Sequence, residues 1–140
     1  ADHHEAGEVE ATIHAFYQEI QAAEFEKAFS RFALGASGYL PFGVLREIPT
    51  EEIRQAVIAA YSEEFEEGDL RLTPQYIKVT THGPVALATF LVQGRVLQLE
   101  DDEQRQVVQR VSMVWQSTDS GWKIVHYHVS FSDDQVGEDD

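Results

Sequence analysis

The chain has 140 residues, no cysteine, and 25 acidic against 10 basic residues, a formal net charge of −15 at pH 7. That length fits one ordinary domain, residues 1–140, whose core needs no covalent staple, and the missing cysteine excludes disulfides, thiolate nucleophiles and cysteine zinc sites. The charge opposes nucleic acid and anionic lipid and no apolar run nears the roughly 18 residues of a membrane span, so neither partner is expected; a cytoplasmic location is, with a removed leader still compatible.

Val9, Ile13, Phe16, Tyr17 and Ile20 recur at helical spacing, which predicts a long amphipathic helix from about Glu5 to Ala23. Phe25, Ala28, Phe29 and Phe32 repeat the pattern in a shorter second helix, closed by Gly35 and Gly38 before a brief extended piece, Tyr39–Phe42. Thr50 followed by Glu51 and Glu52 reads as an amino-terminal cap with carboxylates in the first turn. A third helix therefore starts there, buries Ile53, Val57, Ile58, Tyr61 and Phe65, and stops at Gly68.

From Leu70 the period changes to two, predicting strands near 71–80, 85–99, 105–117 and 122–131. His82-Gly83-Pro84, Glu100–Glu103 and Thr118–Gly121 are turns short enough to demand hairpins, hence an antiparallel meander. Gly94 inside a long strand points to a bulge or bend that lets the sheet curl. Three helices and then a meander predict an α+β fold, the helices packed on one face of a curved antiparallel sheet.

Alternation in the last strand puts Val125, Tyr127, Val129 and Phe131 on one face and Ile124, His126, His128 and Ser130 on the other. The preceding strand splits alike, Val107, Val111, Met113 and Trp115 against Val108, Arg110, Ser112, Val114 and Gln116. The first face belongs under the helices. The second is too apolar for bare solvent and too polar for a core, so Arg110, Ser112, Trp122, Ile124, His126, His128 and Ser130 are candidates for an interface with a second copy.

The carboxyl-terminal run from Arg110 through Trp115, then Gly121-Trp122 and His126-Tyr127-His128, resembles the SnoaL-like branch of the nuclear-transport-factor-2-like superfamily. It is similar in particular to the association, or hub, domain of calcium/calmodulin-dependent protein kinase II. The resemblance implies a cone whose mouth opens into a pocket between sheet and helices, and dimerisation through the sheet. Hub domains carry pocket arginines where this chain has Met113, Val129 and Leu91, so a neutral or apolar guest is expected instead. Tyr17, Tyr39, Phe42, Tyr61, Met113, Trp115, Tyr127 and Val129 are the candidate lining. Isomerases, dehydratases, epoxide hydrolases and scaffolds share this fold, so the fold alone does not choose among them.

The residues themselves argue against the carboxylate chemistry of such enzymes: the predicted strands hold no aspartate or glutamate, which leaves Glu47 in a loop or the helices to supply a base. His126 and His128 would offer two metal ligands with no third in view, so no metal is expected. Neither a nucleophile-elbow sequence nor a P-loop occurs, and no cofactor is expected. The resulting expectation is a self-associating, hub-like binding or scaffold module with a small apolar pocket. Its alternative is a small isomerase, cyclase or dehydratase acting on a hydrophobic carbonyl compound, with histidine or tyrosine as proton carrier.

Overall fold

The first apolar stripe winds into helix α1 (Asp2–Gln21) in the computed structural model, which describes residues 2–40, 45–97 and 104–132. Val9, Ile13, Phe16, Tyr17 and Ile20 are all buried on its inner side. The helix ends in a Schellman turn: Ala23 takes φ 59°, and the amides of Ala23 and Glu24 donate to the carbonyls of Ile20 and Glu19 at 3.1 and 2.9 Å. Those carbonyls have no partner within the helix. Alanine therefore occupies a left-handed position that favours glycine, and Ala23→Gly is expected to add about 0.5–1 kcal/mol. A urea midpoint that failed to rise at constant slope would contradict this.

Helix α2 (Phe25–Phe29) is shorter than the apolar spacing suggests. Ser30 folds its hydroxyl onto the Lys27 carbonyl, and Phe32 opens a strand, β1 (Phe32–Tyr39), instead of continuing the helix. The spacing misleads because Phe32 is buried in either conformation. Arg31, between the two elements, donates Nε and Nη2 to the buried Glu19 carboxylate at 2.8 and 2.7 Å. This fork ties α1 to the start of β1 and satisfies a carboxylate that would be costly to bury alone.

Strand β2 (Leu45–Ile48) pairs antiparallel with β1; Pro41 and Phe42 lie outside the described residues. Helix α3 (Glu51–Glu64) begins where expected, Thr50 Oγ1 accepting the Ile53 amide at 3.2 Å. It stops before Gly68 because Phe65 is already extended, so Glu66 and Glu67 fall past the helix end rather than on its last turn.

Then come β3 (Leu70–His82), β4 (Val85–Leu97), β5 (Gln104–Thr118) and β6 (Gly121–Phe131), an antiparallel meander as the turns predict. Residues 98–99 of the expected second strand, and the turn 100–103, lie outside the described residues. The sheet has six strands in the order β2-β1-β6-β5-β4-β3, with β1 added parallel to β6. The helices cover one face. Trp115, Phe25, Ile13, Ile124, Val9 and Val92 are the largest fully buried side chains there, each contributing about 1.5–3 kcal/mol by leaving water.

Gly94 is not a bulge. Its register with Leu72 and Val107 is regular. The irregularities lie elsewhere: between Phe32 and Ser37 where β1 meets β6, between Gln75 and Lys78, where Tyr76 adopts φ 57° and is 81% exposed, and opposite Val114/Trp115. A left-handed tyrosine costs about 1–2 kcal/mol, which the surrounding strand pairing must offset.

Candidate association face and cone interior

The irregularity opposite Trp115 decides which β6 side chains face which way. Trp115 pairs with Ile124, but Val114 pairs with His126, so Val125 is the extra residue and the alternation slips by one. Ile124 is consequently fully buried beside Trp115, and Trp122 packs against the core. Both were expected on the interface; both belong under the helices. Beyond the slip the expected parity holds: Tyr127 and Val129 turn inward opposite Met113 and Val111, while His126, His128 and Ser130 turn outward opposite Val114, Ser112 and Arg110.

On the outward face, registers join into transverse rows. Lys78, Thr89, Ser112, His128 and Tyr39 form one row across β3-β4-β5-β6-β1, and Thr80, Leu87, Val114, His126 and Ser37 form the next. Ser37 Oγ lies 3.0 Å from His126 Nδ1. The Tyr39 ring stands against both histidines, its centroid 6.4 Å from His126 and 5.5 Å from His128. Tyr39 is thus an outer-face residue, 40% exposed, and not part of an inner lining. Alternation could have found this had β1 been read as a strand. Leu91, opposite Arg110, is outward too and cannot stand for an inner pocket residue. Arg110 donates Nη2 to the Phe131 carbonyl at 2.9 Å, which steadies an exposed guanidinium on this face.

Tyr76 and Leu87, the latter 42% exposed, are outer-face residues that the sequence reading did not single out. Leu87 alternates with the buried Ala86 and Ala88, a signal available in the sequence. The exposure of Tyr76 depends on its bulge, which leaves no such trace.

Under the helices, Tyr17 packs edge-on to Phe16 and Phe90, Tyr61 contacts Phe25, Phe29 and Phe65, and Tyr127 meets Phe32. Gly38 makes room for Tyr127, since a Cβ there would lie 2.4 Å from its ring. Burial pushes the Tyr17 phenol well up. Burial likewise raises Tyr61 and Tyr127, with Glu64 adding to Tyr61 and Arg46 opposing both. Such phenols stay protonated at neutral pH and act as hydrogen-bond donors, not bases. Met113 and Trp115 are buried, the Trp115 indole N–H with no acceptor among the described residues, whereas Tyr61, Tyr127 and Val129 are half-buried. Phe42 lies outside the described residues.

No group of three or more potential metal-ligating side chains comes together among the described residues, nor is any described helix long and apolar enough to cross a membrane.

Residues 9–134 match the family model described as a SnoaL-like domain. The chain belongs to the SnoaL-like domain family. No curated protein matches it. Solved structures similar to this SnoaL-like domain include a nuclear transport factor 2-like superfamily protein from Salmonella enterica, 19% identical with a TM-score of 0.75 over 91% of this chain and 90% of that one. The association domain of CaMKII from C. elegans is also 19% identical, with a TM-score of 0.69 over 87% of this chain and 92% of that one. The CaMKII hub of S. rosetta is 17% identical, with a TM-score of 0.69 over 91% and 96%. At such identities the likeness is one of fold.

Proposed function

We propose that this SnoaL-like domain is a hub-like self-associating module whose copies meet through the open sheet face. The observation that carries the reading is that face itself: Tyr39, Tyr76 and Leu87 are exposed there among Arg110, Ser112, His126, His128 and Ser130, with none of the described helices laid over them. Exposed aromatic and aliphatic groups set among hydrogen-bonding ones are the usual composition of a protein–protein contact. Hub domains among the similar folds support the same assignment.

A small apolar guest at the mouth of the cone, against the half-buried Tyr61, Tyr127 and Val129, completes the proposal. The interior favours binding over proton abstraction. Strands β3 to β6 carry no carboxylate, Glu47 on β2 pairs with Ser37 on the outward face, the buried Glu19 is committed to Arg31, and the tyrosines are held protonated. A binding module needs none of these as a base.

Light scattering on a gel-filtered sample should give a mass at least about twice that of the 15.8 kDa chain at micromolar concentration. Leu87→Asp should return the mass to that of one chain while leaving the thermal midpoint of the dilute protein unchanged. A wild-type chain that stays strictly monomeric would falsify the assignment.

A further inference from the structure

The charge of this chain is divided between its two layers. Strands β3 to β6 contain no aspartate or glutamate, whereas α1 and α3 carry Glu5, Glu8, Glu10, Glu51, Glu52, Glu63 and Glu64. Register places Arg71, Lys78, Arg95, Arg110 and Lys123 on the outward face, five of the ten basic residues of the chain. Among the described strand residues, Glu47 on β2 is the single outward carboxylate. In a protein of net charge −15, the described outward face of the sheet thus carries more basic than acidic side chains, although Lys123 donates Nζ to the Ser30 carbonyl.

Two of the concavities on the described surface hold basic side chains of this face. The smaller, of about 110 Å³, has Arg71 and Arg95 but also Glu67 and Asp69, so its charges offset one another. The larger, of about 310 Å³, lies between Tyr76 and Arg110 on the outward face and is lined also by Thr89, Phe90, Leu91, Val111 and Ser112. No carboxylate lines it. Thr89 and Ser112 are direct cross-strand partners, flanked in the same row by Lys78 and His128. Arg110 spends Nη2 on the Phe131 carbonyl, and a guanidinium has five N–H donors, so it has others to offer. An arginine and two hydroxyl-bearing side chains lining one concavity free of carboxylates supply the donors that an oxyanion needs.

A twofold contact through this sheet would also set like charge against like, because the same patch is presented by both copies. We propose that the open, shallow concavity between Tyr76 and Arg110 is an oxyanion site, and that a phosphate-like anion held there neutralises the charge that opposes pairing of two identical faces. The link to assembly rests on the self-association reading above; the site itself does not.

Titration calorimetry with inorganic phosphate, at ionic strength held constant with sodium chloride, tests the site. Wild type should bind saturably, and Arg110→Gln should bind roughly tenfold more weakly, the loss of about one charge-assisted interaction. Thr89→Val, close to isosteric, should also weaken binding with an unchanged melting curve, which guards against a fold defect in the arginine variant. Equal heats for wild type and Arg110→Gln, or none in wild type, overturn the site. Sedimentation in the same buffers tests the coupling: phosphate should shift the population toward dimer more than chloride does. A dimer indifferent to phosphate overturns the coupling and leaves the association reading standing. Saturable binding by a chain that remains monomeric supports the site and overturns both the coupling and that reading. Growth beyond dimer that phosphate breaks apart would instead mean that the basic side chains of the sheet meet the acidic helices of the next copy, which overturns the coupling.

Discussion

Gly94→Ala is expected to destabilise the domain by about 3 kcal/mol, a fall of roughly 10 °C in the thermal midpoint for a chain of this size. The cause is contact, not conformation. A Cβ on Gly94 would lie 1.8 Å from the Arg71 carbonyl oxygen, 2.8 Å from its carbon and 3.0 Å from Leu72 Cα. All of these are backbone atoms, so no rotamer change relieves the clash; β3 must move away from β4. Gly94 lies in β4, paired with Leu72 on one side and Val107 on the other, so the displacement would be felt across the meander. Gly7 provides the control. It is helical, nothing lies within 4 Å of its added Cβ, and Gly7→Ala should stabilise by about 0.5–1 kcal/mol. Circular dichroism melts of the two variants should move in opposite directions, and a Gly94→Ala protein melting with wild type would refute the close approach.

Gly94 also illustrates what the sequence can and cannot tell. Its presence in a long apolar run announces a special position, but the reason depends on a neighbouring strand more than twenty residues away in the chain. The long helices, the meander and most of the sheet parity are local patterns, and they were legible. The slip at Val125 was not. Ile124 and Val125 are both apolar, so alternation looks unbroken although the pairing with β5 shifts by one, and Ile124 and Trp122 move from the expected interface into the core. Phe32 and Tyr39 went astray for a related reason: Phe32 extends the spacing of α2, so β1 was not recognised, and the face on which Tyr39 meets His126 and His128 stayed hidden. The charge division was readable from the start, as the four strands of the meander lack carboxylates, but Glu47 proved to lie on β2 and not in a loop, and the meaning of the division required knowing which basic residues share a face.

Arg54 is the case with the largest structural consequence and the least sequence signal. It occurs in a helix crowded with exposed glutamates and reads as one more solvated charge, yet it is only 7% exposed. Its Nη1 donates to the carbonyls of Phe29 and Phe32, and its Nε donates to Glu51 at 2.9 Å. Phe29 ends α2 and Phe32 begins β1, so one guanidinium fastens α3 to the turn between them. Arg54→Met keeps the length and apolar stem but leaves both carbonyls without that donor in a buried setting. Each such loss costs about 1–3 kcal/mol, partly offset because the cation no longer has to be buried. We expect a net loss of about 3 kcal/mol, read as a lower urea midpoint at constant slope. Arg54→Lys should fall between the two, since a point ammonium does not reproduce the planar fork. The effect should be uneven. β1 holds Ser37 and Tyr39 beside His126 and His128, so amide exchange in Arg54→Met should quicken in β1 before it does in β3, β4 or β5. If exchange quickened uniformly, or the variant matched wild type, Arg54 would be a bystander and the edge of the association face would be held by strand pairing alone.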